Sequence, residues 1–199
     1  MELFLIRHGE TTAIANGIIN GQTDSPLSVN GISAAQRTAE YFKGQHFDAL
    51  YASSLGRAMH TARIIGSGFG LEPQPVDGLR EQSYGWLEGL PSVLFEPEEG
   101  GFWPLRPFVR FAMQHSAEMG NAYLKRILSS FDQIVTENQA RRIMLVVHWG
   151  VLCILERYLT GKDVTQWFEQ VAWNYCGISE FHKNGTGWQV IRLDDNSHL

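Results

Sequence analysis

The chain has 199 residues, 44% of them hydrophobic, which is enough to bury one sizeable core and too few to require two domains. A formal net charge of -5 with only 16 Lys plus Arg leaves no broad basic face for nucleic acid, although a few convergent cations suffice for a small anion. No apolar run reaches the roughly 18 residues of a membrane span and no basic leader opens the chain, so we expect a cytoplasmic protein without a membrane partner.

The beginning of the chain predicts a strand followed by a helix. Residues 2–6 form an apolar run that ends at charged Arg7 and His8, which is typical of a buried strand that delivers polar residues at its end. After a loop rich in Gly and Asn, Ser28 is suited to cap a helix that continues to Phe42.

The alternation of strand and helix continues to residue 76. Residues 48–52 predict a second strand. Ser53 or Ser54 is then expected to cap a helix over 57–66, whose small and apolar side chains share one face. A brief strand at 75–76 leads into a polar segment.

Residues 90–119 break this pattern. Four prolines and many aromatic residues interrupt any long helix, so we interpret the region as a flap inserted at about 90–120 into a single domain that spans residues 1–199. Its segment 102–113 is expected to cover the core, to contact substrate or to form a homodimer surface. Arg106 and Arg110, four apart on a helical turn, are candidates for binding a second anionic group.

The last third of the chain returns to regular elements. A helical period over 121–138 precedes a continuous apolar run at 143–147, which suits a central parallel strand buried on both faces and ends at His148. A helix over 150–159 and a hairpin over 177–193 complete the pattern. We predict a three-layer α/β/α sandwich with a mainly parallel central sheet.

Five polar residues follow the predicted strands. Arg7, His8, Arg57, Glu81 and His148 each lie at or beyond the carboxyl end of a strand. That edge of an open α/β sheet is where ligands bind, so four stretches of chain are expected to meet in one crevice. Two arginines, two histidines and one carboxylic acid are suitable parts for phosphoryl transfer.

Each residue type has a physical role in that chemistry. The planar forks of Arg7 and Arg57 match phosphate oxygens and stabilise developing charge. A neutral His8 can attack phosphorus in line, while His148 donates to the equatorial oxygens. A protonated Glu81 can supply the leaving alkoxide with its proton and then activate water. The arginines carry the positive charge, so neither a metal nor another cofactor is expected.

Four ordered blocks of sequence carry a resemblance to a known family. They are RHGET at 7–11 with Gly21, Asp24, Pro26, Leu27, Ser28 and Gly31; SSLGRAMHTA at 53–62; Leu79, Glu81, Gly85, Glu88 and Gly89; and VVHWG at 146–150. Together they resemble the signature of the histidine phosphatase superfamily, whose fold is phosphoglycerate mutase-like. The resemblance covers most of the chain except about residues 90–120. It implies that His8 is the phosphorylated nucleophile, that Arg7, Arg57 and His148 form the phosphate pocket, and that Glu81 is the proton donor.

The chain departs from the family's pattern at the rim of the expected pocket. Ile14 stands where the family often has an asparagine that contacts phosphate, and Ile18 where an arginine is frequent. Asn16 or Asn20 is a candidate to compensate, and Asn20 and Gly21 are expected to bind substrate. The resemblance thus implies a rim that is less polar than usual and a leaving group with apolar bulk.

Trp149 is a further departure, since a small residue often follows the second histidine. Its indole is expected to narrow the pocket or to stack on substrate.

Five other histidines lack metal-ligand spacing and are interpreted as surface or structural residues: His46, His60, His115, His182 and His198. Cys153 and Cys176 are expected to be reduced core thiols.

Two alternatives remain open for the charged residues. Glu10 and Glu88 lie near enough in sequence to compete with Glu81 for the role of acid. A metal site built from His8, Glu10 and His148 is conceivable, but it lacks a further ligand and would set a cation beside two arginines.

The predicted function is hydrolysis of small-molecule phosphate esters. The first alternative is a phosphoglycerate mutase-type phosphotransferase; such mutases are typically longer and shield the phosphohistidine with a tail, whereas this chain is short and ends in the polar segment 194–199. The second alternative is a non-catalytic module that binds phosphorylated ligands. Sugar phosphates, nucleotide-related esters and phosphoproteins all stay open as substrates.

Overall fold

The computed structural model describes residues 1–95, 106–118, 120–139, 141–167, 173–185 and 187–199. Strands and helices alternate along most of this chain, as predicted. The strands are β1 (Glu2–Arg7), β2 (Ala49–Ser53), β3 (Gln74–Val76), β4 (Arg142–Val147), β5 (Ile178–Asn184) and β6 (Gly187–Asp195). The α-helices are α1 (Thr12–Ala15), α2 (Val29–Tyr41), α3 (Gly56–Gly66), α4 (Arg106–His115), α5 (Gly120–Glu137) and α6 (Trp149–Thr160). Short 3-10 turns lie at Asp77–Leu79, Gly85–Leu87, Ser92–Phe95 and Val164–Gln166.

The strands form one sheet in the order β3-β2-β4-β1-β5-β6. Strands β3, β2, β4 and β1 run parallel, while β5 pairs antiparallel with β1, and β6 with β5. The apolar run at 143–147 therefore lies in a central parallel strand, and the predicted C-terminal hairpin is an antiparallel extension at one edge.

Helices cover both faces of the sheet. On one face, alternate residues of β1 and β4, such as Phe4 and Met144, pack with Ala58, Ala62 and Ile65 of α3. The residues between them point to the other face and pack against α5 and α6. Because successive side chains of a strand point to opposite faces, the continuous apolar runs supply both cores. The predicted three-layer α/β/α sandwich with a mainly parallel sheet is confirmed.

The predicted N-cap of α2 is confirmed, whereas the predicted N-cap of α3 is not. Ser28 caps α2 as predicted, its hydroxyl accepting from the N–H of Gly31 at 3.0 Å. Neither Ser53 nor Ser54 caps α3, so that prediction is wrong. The carboxylate of Asp24 takes this role and accepts from the backbone N–H of Gly56 at 2.5 Å.

The predicted flap falls partly outside the described residues. Within it, Arg106–His115 forms α4, a helix longer than the single turn expected. Segment 96–105 and the side chains of Arg106 and Arg110 are outside the described part, so the proposed second anion site stays a prediction.

Cys153 and Cys176 are buried free thiols, as predicted. Among the helices that the structure describes, none is long and apolar enough to cross a membrane. A cytoplasmic location and a homodimer stay predictions.

Candidate active site

All five candidate catalytic residues lie near the carboxyl edge of the parallel strands. Arg7 ends β1, and His8 follows it. His148 follows the neighbouring strand β4, and Arg57 lies in the first turn of α3, just after β2. Glu81 follows β3 and a 3-10 turn. Since β1 and β4 are adjacent, the two histidines meet, with ring centroids 5.0 Å apart.

His8 is buried, and one of its two ring nitrogens already has a hydrogen-bond partner. Nδ1 lies 2.8 Å from the carbonyl oxygen of Gly9, so Nδ1 carries the proton in that bond and Nε2 keeps a lone pair. Burial lowers the pKa of His8 well below 6.5, and the charges of Arg57 and Arg7 lower it further. A neutral imidazole with a free Nε2 is the form that a nucleophile requires.

His148 is buried beside His8 and contacts Ser53, the last residue of β2. Its Nε2 lies 2.7 Å from Oγ of Ser53. If the hydroxyl donates to Nε2, the proton of the neutral ring sits on Nδ1. Burial lowers the pKa of His148 well below 6.5, assisted by the charges of Arg57, His8 and Arg7. The ring is therefore a neutral hydrogen-bond donor at pH 7.

Arg57 is buried and held by the loop before α2. Its guanidinium donates to the carbonyl oxygens of Gly21, at 2.7 Å, and Thr23, at 3.1 Å. Its Nη1 lies 3.6 Å from the carboxylate of Asp24. Burial lowers the pKa of Arg57, against the opposing effect of Glu81 and Asp24. The loop thus orients the guanidinium mainly through carbonyl oxygens. No carboxylate of the described residues forms a close bidentate pair with it, so its positive charge remains available.

Arg7 is oriented by the segment that precedes β5. Its Nη1 donates to the carbonyl oxygen of Trp173, and its guanidinium carbon lies 3.9 Å from the ring centroid of Tyr175. The guanidinium thus lies over an aromatic face, a favourable arrangement for a cation.

Three buried nitrogens of this cluster have no hydrogen-bond partner among the described residues. They are Nε of Arg7, Nε of Arg57 and Nδ1 of His148. Buried polar atoms in native proteins are almost always paired, so such a group needs an explanation. The three nitrogens belong to residues with positive charge or donor capacity at one edge of the sheet. Anionic oxygens are suitable partners for such donors.

Glu81 is held by three donors. Its Oε1 accepts from the hydroxyl of Tyr123 at 2.5 Å and from the N–H of Gln82 at 2.9 Å. Its Oε2 accepts a longer bond of 3.2 Å from the N–H of Gly150 in the first turn of α6. A Cβ at Gly150 would lie 2.7 Å from both Oε1 of Glu81 and the hydroxyl of Tyr123, so the close approach of α6 requires glycine.

The other two carboxylates considered for the acid have structural partners. Oε2 of Glu10 accepts from Ser28 at 2.5 Å. Glu88 accepts from the backbone N–H groups of Gln22 and Thr23, and although burial opposes it, these bonds lower its pKa. Of the three, only Glu81 is among the described residues that line the cavity.

The cavity at this site has a volume of about 390 Å³. Its described lining consists of Arg7, His8, Ile14, Gly17, Ile18, Ile19, Asn20, Gly21, Arg57, Glu81, Tyr84, Ser92, Trp149 and Tyr175. Asn20, Gly21 and Trp149, predicted to bind substrate, are all in it. Asn16 instead donates to the carbonyl oxygen of Thr12 at 2.7 Å, and Asn20 donates to Thr11 at 3.0 Å.

The residues proposed for a metal site do not form one in the part of the chain that the structure describes. One group of side chains there is close enough together to hold a metal ion. It consists of Glu2 on β1 with Glu180 and His182 on β5, and it lies away from the cavity. Its carboxylates already pair with Arg142 at 3.2 Å and Arg192 at 3.0 Å.

Sequence reasoning missed three residues that orient the site. Ser53 was assigned to a helix cap rather than to His148. Tyr123 lies on the periodic apolar face of α5, where a tyrosine is indistinguishable from core packing. Tyr175 lies in the segment WNYCG at 173–177. Its two aromatic residues and its glycine were the only features that could have indicated a role in the site.

The chain is similar to known proteins in both sequence and fold. The family model described as histidine phosphatase superfamily (branch 1) matches residues 3–196. A Yersinia enterocolitica protein named "Probable phosphoglycerate mutase GpmB" is 39% identical over 100% of this chain and 95% of its own. The adenosylcobalamin/alpha-ribazole phosphatase of Escherichia coli is 29% identical over 90% of this chain and 91% of its own. The solved alpha-ribazole phosphatase of Shigella flexneri superposes with a TM-score of 0.82 at 27% identity, covering 98% of this chain and 96% of the other.

Proposed function

Because the chain belongs to the histidine phosphatase superfamily, we propose that it hydrolyses phosphate monoesters by way of a phosphohistidine on His8. The observation that carries this proposal is the set of three unpaired buried nitrogens, on Arg7, Arg57 and His148, around a neutral histidine. An oxyanion that pairs with them would lie beside the free Nε2 of His8.

In the first step, Nε2 of His8 attacks phosphorus and the bond from phosphorus to the ester oxygen breaks. Negative charge develops on the transferring group and on the leaving oxygen. Arg7 and Arg57 stabilise the phosphoryl oxygens, and Nδ1–H of His148 donates to one of them. Fixed donors in a buried site need no reorganisation at that moment, which is the larger part of their benefit.

Glu81 acts as the general acid in this step. Its Oε1 is engaged by Tyr123 and Gln82, so Oε2 is the oxygen that carries the proton to the leaving alkoxide. In the second step the resulting carboxylate takes a proton from water, whose oxygen attacks phosphorus and breaks the bond to Nε2. Phosphate is released, and Glu81 is protonated again, now with a proton from the water molecule, while its first proton left with the alcohol.

We further propose that this cycle needs no metal ion. The two guanidinium groups supply the positive charge that a metal would otherwise bring to the phosphoryl oxygens. Turnover in the presence of a chelator supports this proposal, whereas loss of turnover that returns with added divalent cation contradicts it.

The decisive experiment measures phosphate release and covalent labelling together. An aryl phosphate is mixed with wild type, His8→Ala and His46→Ala in the presence of chelator, and acid-labile phosphate is measured on the quenched protein. His46 is exposed and, among the described residues, pairs with Asp48 alone, at 3.2 Å, so its variant is a matched histidine control. We expect release and labelling in wild type and His46→Ala, and neither in His8→Ala. Full activity in His8→Ala would contradict the covalent mechanism.

A phosphoglycerate mutase is the second candidate, because the relative that covers the whole chain at 39% identity bears that name. Such an enzyme would return the phosphoryl group to a bound phosphoglycerate instead of to water. Assays with 3-phosphoglycerate that separate phosphate release from isomer formation distinguish the two activities. A non-catalytic binding module would retain affinity for phosphate esters and show neither.

A further inference from the structure

Four apolar side chains line the active-site cavity. Ile14, Ile18, Ile19 and Trp149, which we call the apolar rim, all line it. Ile14 is on α1, Ile18 and Ile19 follow that helix, and Trp149 begins α6, so two separate parts of the chain form the rim. The charged lining residues, Arg7, Arg57 and Glu81, belong to the phosphoryl-transfer machinery. The rim is the apolar part of the lining outside that machinery, and it offers a surface for the alcohol part of the ester.

The described lining of the cavity holds two cations, and both are assigned to the phosphoryl group. Among the described lining residues, only Arg7 and Arg57 carry a positive charge. Arg57 already donates to two backbone carbonyls, and Arg7 donates to Trp173 and stacks on Tyr175. The donors that remain unpaired are those assigned to the phosphoryl group. A second anionic group on the substrate would meet no free cation in this lining and would lose hydration against isoleucine side chains, which is costly.

The backbone under the rim is held in place. The N–H of Ile18 donates to Ala13 at 2.9 Å, and that of Ile19 to the carbonyl oxygen of Leu90 at 2.9 Å. The N–H of Ser92 donates to Gly17 at 2.6 Å. These bonds tie both sides of the turn after α1 to neighbouring chain. The rim is thus a preformed surface rather than one that must order around a ligand.

From these observations we infer that the substrate is the phosphate monoester of an apolar or aromatic alcohol without a second anionic group. The inference rests on the proposed phosphatase function and makes the apolar rim its specificity determinant. It is the opposite of the second anion site predicted from Arg106 and Arg110, whose side chains are outside the described residues, and the ester comparison below decides between the two. It sets the natural substrate apart from phosphoglycerates and other phosphorylated carboxylic acids. A hydrophobic pocket discriminates by about 10-fold to 200-fold for small apolar differences, and an unpaired buried carboxylate adds to this.

The test compares two esters that differ by one carboxylate. Benzyl phosphate and 4-carboxybenzyl phosphate both release a primary benzylic alcohol, so their intrinsic reactivities are similar. We expect kcat/KM of the wild type to favour benzyl phosphate by at least about tenfold. In a parallel arm, 3-phosphoglycerate is expected to behave like the carboxylated ester.

A charged variant locates the preference at the rim. Ile18→Arg introduces a cation among the lining residues and is expected to lower the ratio of benzyl to carboxybenzyl turnover by about tenfold. Val190→Arg is the matched control, since it adds the same charge on exposed β6, away from the cavity, and should leave the wild-type ratio unchanged. The wild-type ratio is itself a test, so the inference stays falsifiable if Ile18→Arg does not fold.

The outcomes separate this inference from the proposed function. Turnover with equal or greater kcat/KM for the carboxylated ester would overturn the inference and leave the phosphohistidine mechanism intact. Absence of both turnover and labelling of His8 with every ester would overturn the two together. A preference for benzyl phosphate that Ile18→Arg and Val190→Arg change equally would contradict the role of the rim.

Discussion

The phenolic hydroxyl of Tyr123 donates a 2.5 Å hydrogen bond to Oε1 of Glu81. Tyr123 is fully buried on α5, and burial together with the charge of Glu81 raises its pKa well above 10, so the phenol stays protonated. The proposed general acid is therefore held by a side chain on an element far from it in sequence. Tyr123 acts as a positioning residue, since nothing places it in contact with the reacting atoms.

Replacing Tyr123 with Phe should lower kcat by about tenfold, because a hydrogen bond to a charged group contributes on the order of 1.5–3 kcal/mol. KM should change little, since the apolar ring and the phosphate pocket are retained. Tyr158→Phe is the matched control: its hydroxyl bonds to Asp132 at 3.0 Å on the helical surface. Steady-state kinetics of both variants check the split between kcat and KM, and a Tyr123→Phe enzyme with wild-type kcat would contradict the positioning role.

The proposed nucleophile should remain neutral well into the acidic range. Burial, Arg57 and Arg7 lower the pKa of His8 below 6.5, so protonation removes the free Nε2 only as the pH falls through that lowered value. NMR titration of the His8 ring in the free enzyme measures this directly, without interference from the ionisation of a phosphate ester. Arg7→Gln removes one positive charge and should move the His8 titration to higher pH. A downward shift in that variant would refute the electrostatic assignment.

Asp24 should contribute more to the free energy of unfolding than Ser53 or Ser54, the residues first expected to cap α3. Its carboxylate accepts from the N–H groups of Gly56 and Arg57, and loss of such a cap typically costs about 1 kcal/mol. Asp24→Ala should therefore lower the free energy of unfolding in urea by about that amount, and should also lower kcat/KM, because Asp24 lies beside Arg57. Ser54→Ala removes no cap of α3 but only the bonds of its hydroxyl to Asp77 and Arg80, and should therefore destabilise less than Asp24→Ala. Equal destabilisation by the two variants would argue against this assignment of the cap.

Ser53 should determine which nitrogen of His148 carries the proton. With Ser53→Ala the donor to Nε2 is lost, and we expect kcat/KM to fall by about tenfold. The ¹⁵N chemical shifts of His148 should change from one tautomer to a mixture, which a merely structural role would not produce. Ser67→Ala removes a hydroxyl that bonds to the carbonyl of Ile64 on the surface and serves as control. An unchanged tautomer in Ser53→Ala would rule out this role.

Local sequence patterns were sufficient for the main elements. The apolar runs at 3–6, 49–52 and 143–147 are strands because they are buried on both faces, which leaves little alternative for so short a hydrophobic run. The polar residues that follow them could be assigned to one edge because parallel strands align their carboxyl ends. The positions of Arg7 and His148 follow from that rule.

Partners that depend on distant chain were not predictable in the same way. The carboxylate of Asp24 caps a helix that begins at Gly56, and a serine adjacent to that helix is locally just as suitable. Tyr123 fits the apolar period of α5 whether or not its hydroxyl has a partner. Only the arrangement of the sheet, which brings α5 and α6 to the same face, decides these contacts.

Strand β1 has a consequence for the order in which the protein can fold during synthesis. It precedes its two neighbours in the sheet by more than 100 residues, since they begin at Arg142 and Ile178. Both edges of β1 therefore stay unpaired until most of the chain has left the ribosome, and such non-local pairing is slow and prone to aggregation. The residues that follow β1 and β4, including His8 and His148, cannot meet before that time. A nascent chain that stops short of β4 is thus expected to be inactive and dependent on chaperones.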